Sequence, residues 1–179
     1  MPHDYESICA VAARLKKRYG KERDPFRLCE RLGFLVNPLD LGKGEGAIKA
    51  LIVECCRIKC ITYNTNLSEE LLRPTIFHEC GHGLLHPIGL FGYTDITLYD
   101  ESSRKEKEAN LFCAEYMLED DEVLEALNAD LTFFSAAKAL SVPAELLDFK
   151  FRLLKWKGYK LGESPIYARA NYLNDAGNK

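Results

Sequence analysis

The stretch Pro74-Thr75-Ile76-Phe77-His78-Glu79-Cys80-Gly81-His82-Gly83-Leu84-Leu85-His86-Pro87 decides the reading of this chain. At its centre stands H-E-x-x-H, formed by His78, Glu79 and His82, with Ile76, Phe77, Leu84 and Leu85 as apolar flanks. The flanks predict a buried helix ended by Pro87, because the residue before a proline is pushed out of the α region. Residues four apart on a helix differ by roughly 40° around its axis, so both imidazoles project from one face. Two such rings can grip one Zn²⁺. Glu79, one residue after the first ring, can then reach a water at the cation without ligating it. Two histidines and a glutamate left unpaired in a buried helix would be costly, which argues against a purely structural motif.

A hydrolytic zinc site needs a third protein ligand and an open fourth position. The next helical pattern, about Ser102 to Leu118, offers Glu106, Glu108 and Asn110. Glu106 and Asn110 share a face. Glu108 is turned from Glu106 by about 200°, so only one of the two glutamates can face the metal. One carboxylate from this helix would complete a His₂Glu set, and a partner one turn on would hold a ligand imidazole through a hydrogen bond.

Upstream, Ile8, Ala12, Leu15 and Tyr19 have helical spacing closed by Gly20, and Asp24-Pro25 opens a second helix stopped at Gly33. Asn37 to Gly46 reads as a loop. Residues 47–54 and 58–64 read as two strands in a hairpin turning at Cys55–Arg57. The second of these is a candidate edge strand for an extended peptide, or a plain core strand. Ser68 opens a helical stretch, and Pro74 suits the first turn of the motif helix. Residues 88–101 read as irregular loop. Amphipathic pieces follow at about 120–128, 131–140 and 144–156, and residues 171–179 as a frayed end.

The 179 residues, 47% apolar with a net charge of −3, suit one soluble globular domain spanning 1–179. It divides into N-terminal helices (1–36), a catalytic core (46–118) and a helical C-terminal part (119–160). No apolar run approaches the roughly 20 residues of a membrane span, and no export signal stands at the N-terminus. Seven scattered cysteines fit free thiols in a reducing, cytoplasmic setting. Cys55, Cys56 and Cys60 read as strand and turn residues, and His3 as exposed.

The string H-E-x-G-H-x-x-L-H, followed by E-x-E-A-N-x-F-x-A-E-x-M at Glu106–Met117 and preceded by strand, turn, strand and Asn64-x-x-Leu67, resembles the ImmA/IrrE family of metallopeptidases. The likeness covers roughly residues 30–155. It implies an α+β fold with a small zincin-like core: a short twisted sheet, an active-site helix and a ligand helix. It implies Zn²⁺ held by His78, His82 and Glu106, Glu79 as general base, and a regulatory protein substrate, often a phage- or mobile-element-type transcriptional repressor. Cys80 stands where the family has a small or aliphatic residue, and Glu119 where it has proline. The family has a histidine at His86, for which a structural role at the helix end is preferred over a substrate-facing one. Tyr63, Tyr93 and Tyr99 are candidate oxyanion donors among which the sequence does not choose.

Two other functions compete. A non-proteolytic zinc-site regulatory binding protein has the same motif. Residues 131–155 could form helix-turn-helix, with Lys150, Arg152, Lys155, Lys157 and Lys160 as a basic cluster. Residues 121–160, however, carry six acidic and six basic side chains, which is a poor footprint for nucleic acid.

Overall fold

The computed structural model describes residues 4–44, 46–89, 92–95, 99–101, 103–129 and 132–166. The expectations for His3 and for residues 171–179 lie outside these. The fold is α+β, with seven helices and a four-stranded mixed sheet among the described residues, in two compact units, Met1–Met117 and Leu118–Lys179.

The first unit opens with α1 (Tyr5–Tyr19), whose N-cap Asp4 accepts the Ser7 amide and which buries Ile8, Ala12 and Leu15. Helix α2 (Pro25–Leu32) starts at the N-cap Asp24 with proline in its first turn and ends on Gly33 in the left-handed region. Strands β1 (Leu35–Leu39), β2 (Ala50–Cys55), β3 (Ile58–Asn64) and β4 (Tyr93–Asp95) form a sheet of order β1-β3-β2-β4. The β2–β3 hairpin turns on Cys56 and Arg57, both with positive φ, as a two-residue loop of matching twist requires.

Three expectations are corrected here. Strand β1 lies across the boundary assigned to the N-terminal helices and inside the stretch read as loop. It is short, mostly exposed and carries Pro38, which an edge position tolerates, and its parallel pairing with β3 is non-local. Strand β3 is interior, flanked by β1 and β2, so it cannot be an edge for a peptide. Residues 93–95, within the stretch read as irregular, form edge strand β4 against β2.

Helix α3 (Glu69–Leu85) is one continuous helix with Pro74 inside it, rather than a helix beginning at the proline. It packs on both the sheet and α4 (Arg104–Met117). Gly83 faces Phe34 and Ile52, and a Cβ built on Gly81 would lie 3.2 Å from the Ala109 backbone, so small residues let α3 and α4 approach closely. Cys80 packs inward against Cys29 of α2, Sγ to Sγ 3.1 Å. That contact, reinforced by burial, pushes the Cys80 thiol's pKa up. The seven cysteines are free thiols.

Gly92 leads into β4 with φ +65°, and a Cβ there would sit 2.1 Å from the Ile52 carbonyl oxygen and 2.8 Å from Val53 Cγ1. Gly92→Ala is therefore expected to destabilise the protein by roughly 2 kcal/mol or more through backbone strain and overpacking. Gly89→Ala, with nothing within 4 Å of the added methyl, should stay within about 0.5 kcal/mol of the parent. Denaturant midpoints of the two variants check this.

The second unit comprises α5 (Asp120–Asn128), α6 (Phe133–Ala139) and α7 (Ala144–Trp156). Its buried apolar residues include Val123, Ala136, Leu146, Leu147, Leu153 and Leu154. Lys150, 0% exposed, sits 2.6 Å from Asp120, which also pairs with Lys157 at 2.8 Å. Arg152 pairs with Asp148 and Lys155 with Glu163. Four of the five basic side chains that could have met phosphates are thus engaged with carboxylates. No helix among the described residues is long and apolar enough to cross a membrane.

Candidate metal centre

Helix α3 presents His78 and His82 one turn apart, α4 supplies Glu106, and β4 ends on Asp95. One donor atom from each of these four residues lies within 4.8 Å of the others. His78 Nε2 is 3.0 Å from His82 Nε2, 3.1 Å from Glu106 Oε2 and 3.0 Å from Asp95 Oδ2, and His82 Nε2 is 3.2 Å from Glu106 Oε2. Ligand atoms about 2.0–2.2 Å from a tetrahedral Zn²⁺ stand about 3.3 Å apart, so the cluster is close to the size of one coordination shell. The residues present fit a divalent cation, in donor type and in spacing.

The far sides of both rings are fixed as well. Asn110, one turn beyond Glu106, takes the His78 Nδ1 proton on its Oδ1 at 2.8 Å, while its amide nitrogen donates to the Asp100 carbonyl at 2.9 Å. His82 Nδ1 lies 3.1 Å from His86 Nδ1, and His86 Nε2 lies 3.1 Å from Glu108 Oε2. The other Glu108 oxygen accepts from Arg104 Nε at 2.6 Å. With Glu108 ionised, His86 donates to it from Nε2 and accepts the His82 proton at Nδ1. Both α3 rings then carry hydrogen at Nδ1 and turn a bare Nε2 toward the shared point, the tautomer a metal ligand requires. Tyr93 stacks on the His82 ring at 4.6 Å between centroids. Its hydroxyl donates to the Pro87 carbonyl and accepts from Lys105 Nζ, so this phenol is engaged outside the cluster. Tyr63 meets Phe26 edge to face instead.

Without a cation the cluster is electrostatically frustrated. Burial opposes charge on His78, but Asp95 and Glu106 outweigh it and push its pKa up to about 10. Burial lowers the pKa of His82, aided by the His78 charge. Burial works against the Glu106 carboxylate too, yet the two imidazoles hold it well below the usual range. Glu79 is fully buried and no hydrogen-bond donor reaches either oxygen. Burial, then the neighbouring Asp95 carboxylate, pushes its pKa well up.

The structure therefore brings His78, Glu79, His82, Glu106 and Asn110 together and places His86 behind His82 at the helix end. Glu108, an alternative third ligand by composition, is buried against His86 instead. Asp95 went unread in the sequence. It is one of three acids, with Asp100 and Glu101, in the Gly-, Tyr- and Thr-rich stretch 88–101, and only the β2–β4 pairing carries it to α3.

Residues 29–152 match the IrrE N-terminal-like domain, peptidase family M78. No curated protein matches the sequence. The match spans more than half of the chain, and the geometry supplies a candidate metal-binding group within it. The chain belongs to the M78 metallopeptidase family, whose members carry the IrrE N-terminal-like domain.

Proposed function

We propose that the protein is a zinc-dependent endopeptidase that cuts a specific regulatory protein, a transcriptional repressor of phage or mobile-element type, in the cytoplasm. In this reading His78, His82 and Glu106 hold the cation, Asn110 and His86 orient the two imidazoles, and Glu79 is the general base. The observation that carries the proposal is the convergence of four donors, from His78, His82, Glu106 and Asp95, beside a buried glutamate with no donor of its own. A bound Zn²⁺ supplies Lewis acidity, which brings the pKa of a water down to about 7. Glu79 accepts the proton of the attacking water and delivers it to the departing amine. Strand β4, an edge of the sheet that ends in the cluster, offers its outer side to an extended peptide.

Metal content tests the ligand assignment. Glu106→Ala is expected to lower Zn²⁺ affinity at least about 100-fold, whereas Glu108→Ala, acting only through His86, should cost about tenfold. The reverse order, measured by competition with a chromogenic chelator, would show that the wrong carboxylate was chosen. For the substrate, the protein is incubated with the repressor encoded beside its gene. Chelator-sensitive cleavage at one bond supports the reading, and an intact repressor with metal bound removes that substrate.

The second reading, a metal-holding regulator that does not cut, is favoured by one feature. The cluster has four protein donors, and four-donor zinc sites are commonly structural.

A further inference from the structure

Asp95 is held by its backbone. It pairs with Ala50 across the β2–β4 ladder, and its carbonyl accepts the Lys49 amide at 2.7 Å. Its side chain is not held in that way. The carboxylate is buried, with Oδ2 3.0 Å from His78 Nε2, yet no hydrogen bond of normal geometry reaches that oxygen. That oxygen is also one of the four donor atoms that lie within 4.8 Å of one another, the spacing of ligands around one cation.

A hydrolytic site keeps one position open, and a site with four protein donors is closed. Here the fourth donor, Asp95 Oδ2, stands 3.0 Å from Nε2 of His78, the residue that precedes Glu79 on α3. Glu79 separates the two ways of reading a closed site. A structural centre gains nothing from a further buried carboxylate with no donor, which costs several kcal/mol. A hydrolytic centre needs that carboxylate in that place. With the backbone fixed by β2, the carboxylate can leave by rotation about χ1 into another staggered well.

We propose that Asp95 is a displaceable fourth ligand that caps the open position of the His78, His82 and Glu106 site. The peptidase is latent while the Asp95 carboxylate is bound and becomes competent when it swings away. This inference rests on the metallopeptidase reading above and adds its regulation.

The test uses the full chain loaded with Co²⁺ and with Zn²⁺, and acetohydroxamate as a probe of the open position. His78→Ala serves as the control for the metal site itself. If it binds Zn²⁺ as tightly as the parent, the metallopeptidase reading fails, and this proposal with it. With that control behaving as a ligand variant, Asp95→Ala is expected to shift the visible Co²⁺ spectrum, lower Zn²⁺ affinity about tenfold and bind acetohydroxamate at least about tenfold more tightly than the parent. Asp95→Asn, which keeps the shape but is a weaker ligand, should move in the same direction by less. An unchanged spectrum and unchanged probe affinity in both Asp95 variants would show that Asp95 is no ligand. A parent that never binds the probe at saturating concentration, beside an Asp95→Ala that does, would show a permanent ligand and overturn displaceability.

Discussion

Replacing Glu79 by Gln is expected to abolish peptide hydrolysis, with kcat falling about 10²- to 10⁴-fold, while the protein still binds its cation. The amide keeps the shape of the side chain and cannot take a proton at neutral pH. KM should stay near the parent value, because the loss falls on proton transfer rather than on peptide binding. A second effect follows from burial. Glu79 is a fully enclosed carboxylate beside Asp95, with no donor on either oxygen. Its folded pKa is raised, so the folded state of the metal-free protein loses stability as pH rises above the ordinary carboxylate value. Metal-free Glu79→Gln should accordingly melt higher than the metal-free parent at pH 7. A variant that keeps more than a tenth of parental cleavage would remove Glu79 from the base role.

The second large effect concerns stability. Asp120→Asn is expected to cost about 3 kcal/mol, because it removes the carboxylate charge 2.6 Å from the fully buried ammonium of Lys150. Lys150→Met should be close to neutral, since the apolar chain fills the same space and Asp120 keeps Lys157. Chemical denaturation of both variants measures the contrast, and equal losses would refute it. The pH dependence has a definite sign. Burial works against the Asp120 carboxylate, but Lys150 and Lys157 lower its pKa below the model-peptide value of 3.8. Its contribution is full above that value and is lost as pH falls through the lower folded one. Asp120→Asn should lack this acid-dependent loss.

Local chemistry explains what could be read from the chain before folding. Caps at Asp24 and Gly33, the hairpin at Cys56–Arg57 and the spacing of His78, Glu79 and His82 involve residues a few positions apart, so periodicity and turn chemistry report them directly. The face shared by Glu106 and Asn110 is local in the same sense. It put both on one side of α4, where Glu106 Oε2 stands 3.1 Å from His78 Nε2 and Asn110 Oδ1 2.8 Å from His78 Nδ1.

Four features were decided by tertiary structure. Strand β1 exists through a parallel pairing with β3, and five mostly exposed residues containing a proline carry almost no signal of that. The interior place of β3 depends on β1 taking the edge. Pro74 lies inside α3 because packing of that helix outweighs the one hydrogen bond a proline removes. Asp95 joins the cluster only because β4 pairs with β2. The sequence by itself determined which side chains α3 and α4 could offer a cation, since helical spacing sets which residues share a face. Only the tertiary structure decided how many donors converge, because the fourth comes from a strand whose position depends on long-range sheet pairing.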